Sequence, residues 1–488
     1  MDILTQECLS NETINFKSIF IKNYEELVKP TVFSPNAMSY GEFISSLGYL
    51  SHSLMRDVIK KTLEEMDAYF FNLKGRTMRY YSKGYRKRTI ITVFGEVSYF
   101  RHEYIDRQTY KPFIYVDEKI SLHRKDRYDP CVQAKIYEKY ARCNSMIKVG
   151  EDIGQDLSSL FSIDDSRFYD SIPRQTVWKI LHRFKKIEPP SKPAETPEIL
   201  YVMADEKYIP SQNNNGLKLM TKEVIIHEGV KKSETIDEET GEVMTRNELI
   251  NPKRFINYDE DIYERVINYI CTSYNSESIK QIYLMGDGGS WIKNGLDTLS
   301  GYAWDIKFGL DKFHFVLAVN TITTDPIYKH LIYYYSIKNM KEDLEYLIKL
   351  IVKDDNSRKE MINDKADYIK NNFEGIRAMY KYIKIGCAME QAISHDLMSE
   401  FTSIPKAYSK KWLPYYLNER ENYLNGYDLR KMYLAALDKL NKDDTEDNTV
   451  KLEPHLNTSF FDDQVKEEYY SLSKNVKTAL HRRWKYTG

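Results

Sequence analysis

Two acids stand at the ends of apolar runs. Ile199-Leu200-Tyr201-Val202-Met203-Ala204 leads into Asp205, and Gln281-Ile282-Tyr283-Leu284-Met285 leads through Gly286 into Asp287, which Gly288-Gly289 follow. Short apolar runs ending in a polar residue and glycines suit buried strands. In a mixed sheet, adjacent strand ends bring such side chains together although 82 positions separate them. Carboxylates held this way repel, and a divalent cation relieves the repulsion. Hard oxygen ligands suit Mg²⁺ or Mn²⁺. Two such ions roughly 3.5–4 Å apart activate an attacking oxygen and stabilise a leaving one in phosphoryl transfer. A third acid normally completes the cage. Each acid alone also has a plainer role, Asp287 as a turn residue before glycines and Asp205 as a strand-end acceptor. The pair in this strand order points to the metal.

The elements around the pair read as an α/β core. Leu217 to His227 is a second strand candidate, and the polar stretch Ser233 to Asn251 reads as a surface excursion. Asp261 to Tyr274 has helical periodicity, and Trp304 to Leu310 reads as a strand. Asp311 to Lys384 is almost wholly helical and charged, and a further helix begins near Ala388. The order is strands, helix, strand, strand, then helices, which favours a mixed sheet with helices packed on it.

Upstream, Tyr24 to Leu73 carries apolar residues near helical spacing. A basic loop, Lys83 to Arg88, then feeds a hairpin of Thr89 to Phe94 and Val97 to Tyr104, with Gly95-Glu96 as its two-residue turn. Pro112 to Val116 is a further short strand. Fourteen Lys and Arg stand against six Asp and Glu between Lys74 and Arg127, although the whole chain is near neutral. A local basic excess suits phosphate contact, and it equally suits a solvated surface. Ile147 to Leu160 reads as one amphipathic helix. Asp170-Ser171-Ile172-Pro173 opens another, Arg174 to Phe184, which Ser171 can cap and Pro173 can start. Two short helices with a basic second member fit a helix-turn-helix, and plain packing of a helical bundle explains them as well. The candidate DNA-contacting residues are Arg86, Lys87, Arg88, Arg101, Arg174, Lys179 and Arg183.

The run Lys185 to Glu198 holds four prolines and reads as a linker. The expected organisation is a helical region over 1–73, a basic hairpin region over 74–130 and a helix-turn-helix-like region over 131–185. A linker over 186–198 precedes a core over 199–310, a helical insertion over 311–384, the rest of the core over 385–440, and a tail over 441–488 with an acidic start and a basic end. A chain of 488 residues has room for two to four domains. It contains no run approaching the roughly 18 apolar residues of a membrane span. Met1 to Phe20 lacks the layout of a signal peptide. The five cysteines form no CxxC pair, so neither a zinc ribbon nor a disulfide framework is indicated.

Taken together, these segments resemble the ribonuclease H-like catalytic core of DDE transposases, and more closely the bacterial insertion-sequence transposases of the ISLre type. The resemblance rests on Lys87-Arg88-Thr89 to Phe94-Gly95-Glu96 with Arg101, on Gln175-Thr176-Val177, on Ala204-Asp205, and on Gly286-Asp287-Gly288 with Trp291-Ile292-Lys293. Leu310-Asp311-Lys312-Phe313-His314 and Gly386-Cys387-Ala388-Met389-Glu390 also match. It implies that Asp205, Asp287 and Glu390 form a catalytic, metal-binding triad served by Mg²⁺ or Mn²⁺. It also implies that Asp311 and His314 help organise the site, and that 311–384 is an insertion. Family members tend to carry an arginine shortly after the third acid, whereas this chain reads Asp396-Leu397-Met398-Ser399-Glu400.

A helical wheel adds an independent argument for Glu390. On a continuous helix from Ala388 to Phe401, Leu397 and Phe401 lie within about 20° of Glu390. Burial of those two residues would turn Glu390 toward the sheet, whereas Glu400 would point about 80° away. The plainer role is an acid complementing a helix N-terminus.

The expected activity is transposition. Water attacks a phosphodiester at an element end, and the freed 3′-hydroxyl attacks a target strand without a covalent protein intermediate. The implied partners are double-stranded DNA, as terminal inverted repeats and target, and a second copy of the chain on paired ends. The implied setting is the bacterial cytoplasm, on the nucleoid when bound. Two rivals stand beside this reading, a transposase-derived DNA-binding regulator without turnover and a metal-dependent nuclease without strand transfer. A tyrosine recombinase would need a dispersed Arg-His-Arg set around one Tyr, which the sequence does not display.

Overall fold

In the computed structural model, the described residues are 25, 39–158, 171–189, 195–212, 218–236, 243–258, 261–302, 304–402 and 406–446. Most of the expected first helical region before Ser39, the stretch 159–170, the middle of the proline-rich run and the basic C-terminal end lie outside them. Met1–Asp438 forms one compact unit and Lys439–Gly488 a second.

Helix α1, Tyr40–Asn72, opens with a capping box: Ser39 accepts the Glu42 N–H while the Glu42 side chain reaches back to Ser39. Its buried Leu63, Asp67 and Phe70 face a small sheet of β1, Tyr80–Thr92, β2, Gly95–Asp106, and β3, Pro112–Phe113, ordered β1-β2-β3. The hairpin turn is Val93-Phe94, because Thr92 pairs with Gly95. Gly95 takes the positive φ, 105°, but it starts β2 and does not lie in the turn. The basic segment expected as a loop is the middle of β1.

Three helices follow: α2, Pro130–Cys143, capped by Asp129, α3, Met146–Ser158, and α4, Arg174–Leu181. Their apolar faces, including Ile136, Ile153, Val177 and Leu181, share one core with Met203 and Met285 of the large sheet. The proline-rich run therefore does not separate two cores. Ile187, within it, is buried; its N–H donates to Asn418 Oδ1 at 2.8 Å, and its carbonyl accepts from Asn422 Nδ2 at 2.9 Å.

The large sheet is mixed. Its strands are β4, Ile199–Pro210, β5, Lys218–His227, β8, Lys253–Asn257, β9, Gln281–Gly286, and β10, Asp305–Leu310. The order is β10-β9-β4-β5-β8. β4, β5 and β8 pair antiparallel, while β9 and β10 run parallel to β4. The polar stretch between β5 and β8 forms its own hairpin of β6, Val230–Ile236, and β7, Val243–Leu249.

Alternation along the strands builds two layers. Leu200, Val202, Ala204 and Leu284 face α5, Ile262–Ser273, and α6, Ser290–Ser300. Met203, Ile225 and Met285 face the opposite layer. The segment between β10 and Lys384 is helical, as expected: α7, Lys312–Ile322, α8, Pro326–Lys338, α9, Lys341–Asp354, α10, Lys359–Asn371, and α11, Phe373–Lys381. It has a core of its own around Phe315, Val319, Ile332, Leu344, Ile362 and Phe373. After it come α12, Met389–Ile393, a π turn over Ser394–Met398, a last helical turn to Phe401, then α13, Leu413–Leu424, and α14, Leu429–Glu446. Among the described residues, no helix is long and apolar enough to cross a membrane.

Candidate metal centre

The parallel ladder between β4 and β9 ends at the pair Met203 and Met285. Asp205 lies two residues further on within β4 and keeps the facing of Met203, and Asp287, two residues past Met285, is the first residue beyond the end of β9. β9 stops at Gly286, whereas β4 runs on against β5, where Asp205 pairs with Glu223. The chain after β9 turns sharply at Gly288, whose φ of 87° suits glycine. A Cβ there would lie 2.5 Å from Asn372 Oδ1. Asp287 Oδ1 accepts the Gly289 N–H at 2.8 Å, and the Tyr368 hydroxyl donates to the Asp287 carbonyl at 2.7 Å. Asp287 thus fills the turn role as well as standing beside Asp205.

Two further elements close on this point. Asp311 caps α7, accepting the Phe313 N–H at 3.1 Å, and its own N–H donates to the Gly286 carbonyl at 2.8 Å. That bond ties the start of α7 to the end of β9 and places His314 over the site. His314 Nε2 lies 3.2 Å from Glu390 Oε1 and 3.9 Å from Asp311 Oδ2. Glu390 enters from α12, anchored on β4 where the Ala388 N–H meets Met203 Sδ at 3.3 Å. Asp205, His314 and Glu390 each offer a ligand atom within 4.8 Å of the other two. Asp287 stands outside this tightest trio but close enough to act on Asp205 electrostatically.

Burial, reinforced by the carboxylates of Asp287, Glu206 and Glu390, pushes Asp205 up to about 6 against the pull of the Glu206 N–H. Asp311 is also raised, first by burial and then by Glu390 and Asp287, with His314 opposing. Burial raises the Cys387 thiol too, and Asp311, Asp205 and Glu390 add to the effect. Among the described residues, no Lys or Arg forms an ion pair with Asp205, Asp287, Asp311 or Glu390. Clustered acids with one imidazole and no basic side chain form a donor set that fits a divalent cation.

Glu390 arrives here by a different route from the helical wheel. Its side chain is 52% exposed. The apolar residues buried on this segment are Met389, Ile393, Leu397 and Phe401, every fourth position. In a straight α-helix that spacing drifts about 40° per step. The π turn over Ser394–Met398 holds more residues per turn and removes much of the drift. Glu390 therefore lies at the edge of the buried face, open to solvent on one side.

The segment that follows Glu390, where the resemblance led to the expectation of an arginine, presents Asp396. Asp396 is buried and bonded by Arg254 Nε at 2.7 Å, and Arg420 Nε donates to its carbonyl at 3.1 Å. Guanidinium groups from β8 and α13 thus supply basic partners at this place. Among the described residues, Glu223, the fully buried neighbour of Asp205 on β5, receives no hydrogen bond at either oxygen. Burial and then Asp396 hold it well above the carboxylate range, so a neutral Glu223 can donate to Asp396. Sequence reading missed Glu223 because it resembles any polar residue in a strand; its register against Asp205 appears only once the sheet is assembled. It also passed over Glu206, which faces the opposite layer. There Trp291 Nε1 donates to Glu206 Oε2 at 2.5 Å, and burial raises Glu206.

The candidate DNA contacts divide in two. Arg101 is buried, with Nε 3.1 Å from Asp117 Oδ1 and Nη1 3.5 Å from Glu103 Oε1. Arg88 bonds the carbonyls of Arg124, His123 and Asp126 and pairs with Asp117 at 3.3 Å. Arg183 bonds Asp126 at 2.8 Å and Gln133 at 2.6 Å. These three guanidiniums are committed to internal acceptors, which corrects their expected place on a DNA-contacting surface. Arg86, Lys87, Arg174 and Lys179 are exposed; Arg86 approaches Glu103 at 3.4 Å.

Fold and site together define a mixed α/β protein with an acidic, imidazole-bearing cluster at the end of its parallel strands. The chain belongs to UPF0236, an uncharacterised protein family, whose profile matches residues 33–436. It is 27% identical over 437 residues to a UPF0236 protein of Caldanaerobacter subterraneus subsp. tengcongensis whose name joins eleven gene labels, covering 88% of this chain and 85% of that protein. A second protein of the same organism is 27% identical over 429 residues, 86% of this chain and 85% of its own length. A UPF0236 protein from the vanSb 3′ region of Streptococcus gallolyticus is 26% identical over 287 residues, 56% of this chain and 57% of that protein.

Proposed function

We propose that this protein is a DNA transposase of the DDE type, cutting phosphodiesters at element ends and joining the freed 3′-hydroxyl to target DNA. The observation that carries the reading is the convergence of Asp205, His314 and Glu390 within reach of one ion, with Asp287 near enough to act on Asp205 and, among the described residues, no basic side chain paired to these acids. The strand order, with three antiparallel strands and two more parallel to the first, supports a ribonuclease H-like core. So does the position of Asp205 on the first strand of that sheet, of Asp287 just past the fourth, and of Glu390 on a later helix. The relative whose name joins eleven gene labels for one protein adds a further argument, because a segment that inserts copies of itself leaves such multiplicity.

In this reading Asp205, Asp287 and Glu390 would hold Mg²⁺ or Mn²⁺, and the ion would supply charge stabilisation for phosphoryl transfer. His314, in contact with Glu390, orients that carboxylate, and Asp311 fixes the helix that carries His314. The exposed side of Glu390 leaves room for a DNA strand. Arg86, Lys87, Arg174 and Lys179 contribute phosphate contacts.

The test is strand cleavage and joining on a labelled duplex carrying the element end, with Mg²⁺ and with chelator. Metal-dependent nicking followed by a joined product supports the proposal. Nicking without joining of a supplied 3′-hydroxyl end would reduce it to a nuclease, and binding without either reaction would leave a regulator.

A further inference from the structure

A second site lies on the small sheet, away from the acids. The end of α1, the turn after it and the β1–β2 ladder enclose a cavity of about 370 Å³, lined among others by Phe71, Arg76, Tyr81, Tyr85, His102 and Arg107. Its volume falls in the range of small-ligand sites. Aromatic faces run along it. Phe71 stacks on His102 with centroids 4.2 Å apart and planes 18° apart. Tyr85 leans on His102 at 4.7 Å and stacks on Phe100 at 5.3 Å. Phe71, Tyr81, Tyr85 and Phe100 are all exposed, so a packed core does not account for the row.

The row is held in place from below. Asp67 Oδ2 lies 2.6 Å from His102 Nδ1, and Asp67 Oδ1 accepts the His102 N–H at 2.8 Å. A bulge between Ser82 and Gly84, where Gly84 has φ 132°, bends β1 beside the cavity.

Cations rim the same cavity. The Arg76 guanidinium sits 4.8 Å from the Phe71 centroid, with Nε and Nη1 donating to the Phe71 and Tyr80 carbonyls and Nη2 left toward the cavity rim, and Arg107 sits 5.8 Å from the Tyr81 centroid. Lys87 pairs with Phe100 across the ladder and shares its exposed face. The nearest acids are engaged: Asp67 by His102, Glu64 by the Phe100 N–H at 3.1 Å, and Asp106 by Arg79 at 3.0 Å. Ring faces flanked by guanidinium and ammonium groups match a nucleotide, whose base stacks and whose phosphate pairs.

We propose that this groove binds unpaired bases of single-stranded DNA, the strand that opens at a DNA end during cutting and joining. The choice of DNA rests on the function proposed above, whereas the stacking chemistry does not. The site is separate from the acids, so the two readings fail separately.

The full-length chain is titrated, in chelator, into a fluorescein-labelled oligothymidine of about 12 nucleotides, within the size range of single-strand sites, and anisotropy is read. Phe71→Ala and Tyr85→Ala are each expected to weaken binding at least about fivefold, while Tyr85→Phe keeps it and blunt duplex binding is unchanged. Circular dichroism and melting confirm that the exposed-site variants fold. Unchanged affinity in both alanine variants overturns the proposal, as does equal loss in Tyr85→Phe and Tyr85→Ala. Tighter binding of the matching RNA overturns the assignment to DNA. Asp205→Asn is expected to bind the oligonucleotide as the parent does. Oligonucleotide binding without cleavage of any substrate would count against the transposase reading alone, and duplex binding without oligonucleotide binding against this one alone.

Discussion

Asp205 and Asp287 stand side by side because each lies two residues past Met203 and Met285, the last pair of the parallel β4–β9 ladder. Burial and mutual repulsion already raise Asp205 to about 6, so the site holds its acids together at a cost that a cation offsets. Asp205→Asn and Asp287→Asn keep shape and remove one charge each. Both are expected to lose metal-dependent cleavage by at least about a hundredfold, the scale on which a preorganised electrostatic contact acts. Both should bind duplex DNA as the parent protein does. Single-turnover cleavage beside anisotropy separates the two effects, and a variant that cuts at the parent rate would remove its acid from the site.

The parts legible in the sequence are those set by local patterning. The apolar runs of β4 and β9, the helices after β10 and the acid that follows β9 all follow from periodicity and from where it stops, whereas β4 runs on to Pro210 and holds Asp205 within the strand and not at its end. Relations set by assembly were not legible. The glycine at position 95 suggested the hairpin turn, but the register of Thr92 against Gly95 puts Val93 and Phe94 there. A wheel with 100° per residue cannot foresee the π turn over Ser394–Met398, so it misjudged the burial of Glu390 while arriving at the residue beside Asp205. Arg88 and Arg101 read as surface charge because Asp117, their partner, follows in a different element. The proline run suggested a break between domains, yet Asn418 and Asn422 hold Ile187 within the shared core.

His314 approaches Glu390 more closely than Asp311, which makes it a positioning residue for the third acid. His314→Gln is expected to lower apparent Mg²⁺ affinity by about 10- to 100-fold, as loss of an outer partner does, with cleavage recovering at high metal. A plot of rate against metal concentration reads this directly. A lower plateau with an unchanged midpoint would assign His314 to substrate contact instead.

Glu223 offers a test by pH. Its folded pKa lies above the ordinary glutamate value because burial and Asp396 outweigh Arg254 and Arg420. An acid raised in the folded state costs stability as pH rises past its unfolded value of about 4.3. Below that pH both states are protonated and the cost vanishes. Glu223→Gln keeps a donor toward Asp396 and does not titrate. Its melting temperature, relative to the parent, should therefore be higher at pH 8 than at pH 4. An equal difference at both pH values would mean that Glu223 does not take up its proton on folding.

The basic residues of the N-terminal half should separate into two classes by experiment. Lys87, Arg174 and Lys179 are exposed, so removing any one leaves no buried charge behind, and its effect on stability should stay within about 0.5 kcal/mol. If these residues meet phosphates, each alanine variant weakens duplex binding and lowers the salt slope by about one counterion. Arg101 behaves in the opposite way. Its guanidinium is buried against Asp117, and burial already raises that acid despite Arg101 and Arg88. Arg101→Ala would leave buried Asp117 with Arg88 as its remaining guanidinium partner, a loss of up to about 3–5 kcal/mol for a broken buried pair. Its melting temperature should drop sharply, whereas the salt slope of the protein that remains folded should not change. Thermal melts and salt titrations on the same four variants check both halves. A lowered salt slope in folded Arg101→Ala would return this residue to the DNA surface, and unchanged slopes in the three exposed variants would take that surface elsewhere.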